Sequence, residues 1–123
     1  MRTPIAHALA WPERMDAGVK ALDLFTVAQL NFEPADMTRF PCLDLAYKAL
    51  RAGGTGPCIL NAANEVAVDA FLNGKLSFTD ISELILSVLD SIDSVPADSL
   101  ETILDADSNA RNIATEYLRK SLQ

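Results

Sequence analysis

Residues 80–92 have the sequence DISELILSVLDSI, and their apolar side chains recur at the spacing of one helix face. Asp80 and Glu83 stand three residues apart, which resembles a capping box at a helix start. Pro96 follows and cannot continue the helix. The segment therefore predicts a helix with one buried face, and the residues on that face are Ile81, Leu84, Ile85, Val88, Leu89 and Ile92.

Three further segments show the same amphipathic pattern. One starts at Pro41. A second covers about 61–72, and residues 57–60 ahead of it could be extended or form its first turn. A third begins near a predicted cap at Asp107, after a connection over 94–106 that could include one turn of helix at 99–104. Four amphipathic helices joined by short connections are typical of a bundle. The fold class is therefore mainly α, with a four-helix bundle-like C-terminal domain over residues 37–123.

Residues 1–36 are predicted to form an arm ahead of this domain. Thr3-Pro4 is typical of a helix start and predicts a short helix over about 3–11. Apolar and polar residues alternate over about 29–33, which predicts one β-strand. A single strand needs a partner for its backbone groups, and no second strand is evident. We therefore expect the arm to pack on a neighbouring domain that lies outside this sequence.

Composition narrows the possible functions. The 123 residues carry a formal net charge of −7, and half of them are hydrophobic. An acidic chain repels phosphate backbones and anionic lipid surfaces, so we expect neither a nucleic-acid nor a membrane partner. Cys42 and Cys58 are not spaced as a metal pair, and the single histidine cannot complete a zinc site with them. They are interpreted as thiols of a reducing cytoplasm.

No side chain has the context of a catalytic or metal-binding residue. His7 has no nucleophile that the sequence points to. Asp105, Asp107 and Asn109, with Glu116, imitate a calcium loop, but Ala110 occupies the position that needs glycine. The same residues fit helix periodicity, so their acids are interpreted as cap and first-turn charges. We assign no catalytic residue and no metal ligand.

Asn61, Asn64 and Glu65 form an unusually polar group at a predicted helix start. In one interpretation Asn61 is the N-cap and Asn64 reaches back to the backbone. In the other interpretation the three side chains form a docking surface for another domain. Both remain open, and neither implies catalysis.

Four segments carry a family resemblance. They are MRTPIAHALAWP at 1–12, FPCL at 40–43, LNAANEVAV at 60–68 and SFTDI at 77–81. Together they resemble the C-terminal part of 1-deoxy-D-xylulose 5-phosphate reductoisomerase. The resemblance extends along the whole chain.

The resemblance implies an enzyme of the non-mevalonate route of isoprenoid biosynthesis. That family converts 1-deoxy-D-xylulose 5-phosphate to 2-C-methyl-D-erythritol 4-phosphate with NADPH and Mg²⁺ or Mn²⁺, as a cytoplasmic homodimer. Its cofactor, metal and phosphate sites lie upstream of Met1, so none of them carries over to a position here. Met1 alone corresponds to a residue near the nicotinamide.

We therefore expect a chain that supports a catalytic domain, binds no cofactor alone and is inactive alone. Its expected partners are the missing N-terminal and catalytic domains of the same enzyme. The alternative is a free-standing helical protein-interaction module, and a calcium-binding module is a third hypothesis.

Overall fold

The computed structural model describes residues 1–121, which form six helices and no β-strand. By internal contacts the chain divides into two compact units, Met1–Pro34 and Ala35–Gln123, which we call the arm unit and the helical unit. The last two positions of the predicted 37–123 domain lie outside the described residues. The helices are α1 (Arg2–Ala10), α2 (Leu24–Val27), α3 (Pro41–Ala52), α4 (Gly56–Leu72), α5 (Asp80–Ser91) and α6 (Leu100–Ser121).

The helical unit is organised around α4, which packs against α3, α5 and α6. The α4 face is rich in alanine: Ala62, Ala63 and Ala67 are all fully buried. Small side chains let neighbouring helices approach closely, and Ala110 and Ala114 do the same on α6. Larger side chains, chiefly from α5, fill the rest of the core. The fully or largely buried ones are Leu45, Ile59, Ile81, Leu84, Ile85 and Val88.

Helix α5 confirms the helix predicted from residues 80–92, although its cap differs. Leu84, Ile85 and Val88 are 0–2% exposed, as the periodicity requires. The predicted capping box of Asp80 and Glu83 is wrong, because the N-cap is Thr79 and makes no side-chain capping bond. Instead, the Asp80 backbone N–H donates to Ser77 Oγ over 3.3 Å.

Helix α4 includes residues 57–60, which is one of the two alternatives left open for them, and α6 begins before its predicted cap and includes the turn considered at 99–104. Helix α4 starts at Gly56 because Pro57 is accommodated in a first turn, so Asn61 lies inside the helix and is not its N-cap. Helix α6 starts at Leu100, after Ser99 Oγ accepts a bond from Thr102 N–H at 3.1 Å. The predicted cap at Asp107 is therefore wrong, and that residue lies mid-helix.

A buried junction joins the short α3–α4 connection to the longer α5–α6 connection. Thr55 is 1% exposed, its N–H donates to the Val95 carbonyl at 2.9 Å, and its Oγ1 accepts from Val95 N–H at 3.1 Å. Ser94 Oγ accepts from Gly56 N–H and donates to the Gly53 carbonyl, both at 2.9 Å. Gly54 has φ +51°, and a Cβ there would collide with the Val95 carbonyl oxygen.

The arm unit contains the predicted short helix but not the predicted strand. Helix α1 covers Arg2–Ala10, close to the expected 3–11, and none of its residues is buried. Residues 28–36 have no regular structure, so the strand expected over about 29–33 is not seen in this chain, and its pairing with a neighbouring domain stays a prediction. The described residues contain no β-strand that could pair with it, and alternation alone cannot satisfy a strand's backbone groups. Helix α2 was not predicted; Asp23 caps it through bonds from Phe25 and Thr26 N–H at 3.0 and 3.3 Å.

Large apolar side chains of the arm unit are exposed. Phe25 is 97% exposed, Phe32 87% and Leu9 81%. Aromatic and leucine side chains exposed to this extent are available to pack against a partner. None of the described helices is both long and apolar enough to cross a lipid bilayer.

Candidate functional site: a polar cluster on helices α4 and α6

Two of the three predicted docking residues belong to a hydrogen-bonded cluster. Asn61 and Glu65 are one helix turn apart on α4, and Asn61 Nδ2 donates to Glu65 Oε1 at 3.2 Å. Asn64 is half-buried on the same helix, and no hydrogen bond among the described residues joins it to this cluster. The structure therefore brings together Asn61 and Glu65, and leaves Asn64 beside them.

Arg111 of α6 is the centre of the cluster. Its Nη2 donates to Glu65 Oε2 at 2.7 Å, across 46 positions of sequence. The same guanidinium donates to Asp107 through Nε to Oδ2 at 2.7 Å and through Nη2 to Oδ1 at 3.0 Å. This bidentate geometry orients the guanidinium plane. Arg111 therefore connects α4 to α6 and fixes the position of Glu65.

Hydrogen bonds within the cluster shift the pKa values of its charged side chains. Hydrogen bonds from Arg111 and then Asn61 lower the pKa of Glu65 from its ordinary value of 4.5. Hydrogen bonds to Asp107 and then to Glu65 raise the already high pKa of the Arg111 guanidinium. A carboxylate whose pKa is lowered is a weak base, so the cluster is suited to binding and not to proton transfer. A cleft of about 480 Å³ beside it is lined by Glu65, Asp69, Lys75, Arg111 and Thr115, among others.

Cys58 lies close to this cluster, and its surroundings lower the reactivity of its thiol. Its Sγ donates to the Ile103 carbonyl at 3.5 Å. Burial, followed by the nearby charge of Asp107, raises the pKa of its thiol, while Arg111 opposes the shift. A thiol whose pKa is raised is less nucleophilic at neutral pH. This geometry supports a structural interpretation of Cys58.

The residues of the calcium-loop hypothesis all lie in helix α6. Asp105, Asp107, Asn109 and Glu116 fall within Leu100–Ser121, and a calcium loop cannot adopt a continuous helix. Across the described residues, no three His, Cys, Asp or Glu side chains come together as ligands for a metal ion. The acids of this segment therefore do not form a loop-type site.

Two other predicted residues lie in the arm unit. Met1 precedes α1 as its N-cap and is 92% exposed. Its proximity to a nicotinamide stays a prediction. His7 lies on α1, and its ring meets Trp11 edge to face with centroids 5.6 Å apart. This contact gives His7 a packing role within the arm unit.

Sequence reasoning missed Arg111. Its spacing from Asp107 is i, i+4, a recognisable helix pair. That signal was obscured because Asp107 was interpreted as a cap. The bond to Glu65 had no signal in the sequence, since it depends on how α4 packs against α6.

The fold and this cluster define a helical accessory domain whose ordered polar groups are suited to binding. Residues 1–113 match the family model described as the DXP reductoisomerase C-terminal domain. The chain belongs to that family.

Curated relatives and solved structures give the same assignment. The chain is 56% identical over 121 residues to 1-deoxy-D-xylulose 5-phosphate reductoisomerase of Stutzerimonas stutzeri, covering 98% of the chain and 31% of that relative. It is 58% identical over 116 residues to the Cupriavidus necator protein of the same name, covering 94% of the chain and 30% of that protein.

Among solved structures, the chain superposes with a TM-score of 0.85 and 42% identity on DOX-P reductoisomerase in complex with NADPH, fosmidomycin and magnesium. That match covers 99% of the chain and 32% of the structure. The Zymomonas mobilis enzyme in complex with NADPH gives a TM-score of 0.82 and 41% identity, over 94% of this chain and 31% of that one. The chain thus spans about 30% of the length of the relatives it matches.

Proposed function

We propose that this chain is the C-terminal portion of a 1-deoxy-D-xylulose 5-phosphate reductoisomerase. The whole enzyme would convert 1-deoxy-D-xylulose 5-phosphate to 2-C-methyl-D-erythritol 4-phosphate in the non-mevalonate pathway, as a cytoplasmic homodimer. The observation that carries the proposal is a match over 98% of the chain to 31% of a named reductoisomerase at 56% identity. The relatives are named as enzymes, so a free-standing interaction module is not favoured.

In this proposal NADPH and Mg²⁺ or Mn²⁺ supply the hydride and the Lewis acid when bound to the intact enzyme. Solved relatives in complex with NADPH and magnesium support that assignment. In this proposal the part of the enzyme outside this chain holds these groups. Met1 is the one residue here proposed to lie near the nicotinamide.

The role we assign to this chain is support. The helical unit acts as a four-helix bundle-like domain, and residues 1–36 act as a linker arm that belongs to the catalytic domain. The exposed Phe25, Phe32 and Leu9 of the arm unit support this, because burying such side chains on a partner is favourable. Asn61, Asn64 and Glu65 are proposed to dock against the catalytic domain. There Arg111 would hold Glu65 ready to accept hydrogen bonds.

The proposal is tested with a chimera in which this chain replaces the C-terminal 31% of the Stutzerimonas stutzeri enzyme. We expect the chimera to oxidise NADPH in the presence of substrate and Mg²⁺, and the isolated chain to show no turnover. Turnover by the isolated chain would contradict the supporting role. A folded chimera without activity, beside an active parent enzyme, would contradict the family function.

A further inference from the structure

An open apolar groove lies where the N-terminal ends of α3 and α5 meet in the helical unit. Its volume is about 340 Å³. Phe40 and Cys42 line one side, and Phe78 and Ile81 line the other. Arg39 and Glu83 lie among the polar lining residues. An apolar floor with charged residues nearby is the usual anatomy of a protein-binding surface.

The two aromatic side chains of the groove are exposed but held in place. Phe78 is 72% exposed, and its ring meets Phe71 edge to face with centroids 5.9 Å apart. Phe40 is 53% exposed, and the Arg39 guanidinium lies over its ring at 5.4 Å. Aromatic side chains ordered before binding lose little entropy when a partner covers them. They are also the side chains that most often dominate binding energy at interfaces.

The course of the chain indicates what covers the groove. Residues 38–42 line it, and they comprise the last residues before α3 and the first two residues of that helix. The matched family model is a C-terminal domain, and the chain accounts for only 31% of a matched relative. The remainder of such an enzyme therefore precedes the arm unit and is tethered through that unit to the residues that line the groove. A tether of this kind raises the effective concentration of that portion at the groove.

We propose that this groove is the docking site for apolar side chains of the catalytic portion that precedes the chain in the same polypeptide. The inference rests on the proposed function and adds the surface through which the two portions meet. Phe40 and Phe78 are its anchors, and Cys42 lies between partner and groove in the intact enzyme.

Cys42 provides a direct test. It is exposed in the isolated chain, whereas Cys58 is partly buried, so alkylation should modify Cys42 first. The chain and the chimera described above are treated with N-ethylmaleimide, and the modified peptides are quantified by mass spectrometry. We expect Cys42 to react at least about tenfold more slowly in the chimera, because its reaction would require local opening of the interface.

Equal Cys42 rates in the chain and the chimera would overturn the docking proposal. Protection of Cys42 in the isolated chain, with sedimentation as a dimer, would also overturn it by assigning the groove to a second copy. The labelling is read whether or not the chimera is active. An active chimera with unprotected Cys42 therefore refutes the groove and leaves the proposed function intact.

A pair of variants tests the anchor independently. Phe78→Ser is compared with Leu100→Ser, whose leucine is equally exposed at 71% but lies on α6. We expect Phe78→Ser to lower the melting temperature of the chimera more than that of the isolated chain. Leu100→Ser should shift the melting temperatures of the chimera and of the isolated chain by the same amount. Equal shifts of the chain and chimera for Phe78→Ser would refute its role as an anchor.

Discussion

Arg111 is the residue that gives the polar cluster its order. Its guanidinium stays protonated at physiological pH, so it presents a fixed positive charge to the carboxylates of Glu65 and Asp107. Because the side chain of Arg111 is 37% exposed and that of Glu65 is 55% exposed, the pair is solvent-screened. We therefore regard it as a device that positions Glu65 rather than as a major source of stability.

Glu65→Gln is expected to reduce the acid sensitivity of folding. The pKa of Glu65 is lowered by Arg111 in the folded chain and returns to about 4.5 on unfolding. Its stabilisation is therefore present above the ordinary pKa and is lost as the pH falls through the lower folded pKa. Thermal midpoints at about pH 7 and about pH 3 measure the difference.

The control for that experiment is Glu116→Gln, which removes one negative charge from an exposed position of α6. The loss of thermal midpoint on acidification should be smaller in Glu65→Gln than in the parent chain. If both variants change the pH dependence alike, the effect belongs to net charge and not to the contact with Arg111.

At the scale of elements, α5 carries much of the core and could be predicted almost to its ends. Its buried face follows a strict 3.6-residue period, so the sequence predicts which side of the helix packs on the core. The starts of α4 and α6 could not be predicted in the same way. Asn61 and Asp107 are good N-cap residues, so a start at either one competes with a helix that begins earlier. Packing of residues 56–60 and 100–106 against neighbouring helices decided in favour of extension.

Leu84→Ala and Leu86→Ala compare the two faces of α5. Leu84 is fully buried, and its truncation removes apolar contacts and leaves a cavity, so it should cost about 2–5 kcal/mol of unfolding free energy. Leu86 is 44% exposed, and its truncation should cost less than about 1 kcal/mol. Urea unfolding measures both. Similar losses for the two variants would mean that α5 does not present the face seen here.

For the whole molecule, the organising feature is the division at residues 34 and 35. The buried core comprises residues from Leu45 onward, all within the helical unit. The arm unit has no buried residue in either of its helices and exposes its large apolar side chains. Its stability in isolation is therefore expected to be much lower than that of the helical unit.

Removal of residues 1–34 is expected to leave the helical unit folded. Because the core and the Thr55–Val95 junction lie entirely beyond residue 35, the urea midpoint of the shortened chain should match that of the full chain. Circular dichroism at 222 nm follows the transition in both. A lower midpoint or a non-cooperative transition after truncation would show that the arm unit contributes to the core.

The sequence alone determined the helical class, the positions of α1, α3 and α5, and the family, because periodicity, turn residues and contiguous motifs are local properties of the chain. The tertiary structure decided the full lengths of α4 and α6, the 46-position link between Glu65 and Arg111, and the groove between Phe40 and Phe78. Each of these depends on segments distant in sequence packing together. A local pattern contains no information on which distant groups will satisfy or bury it.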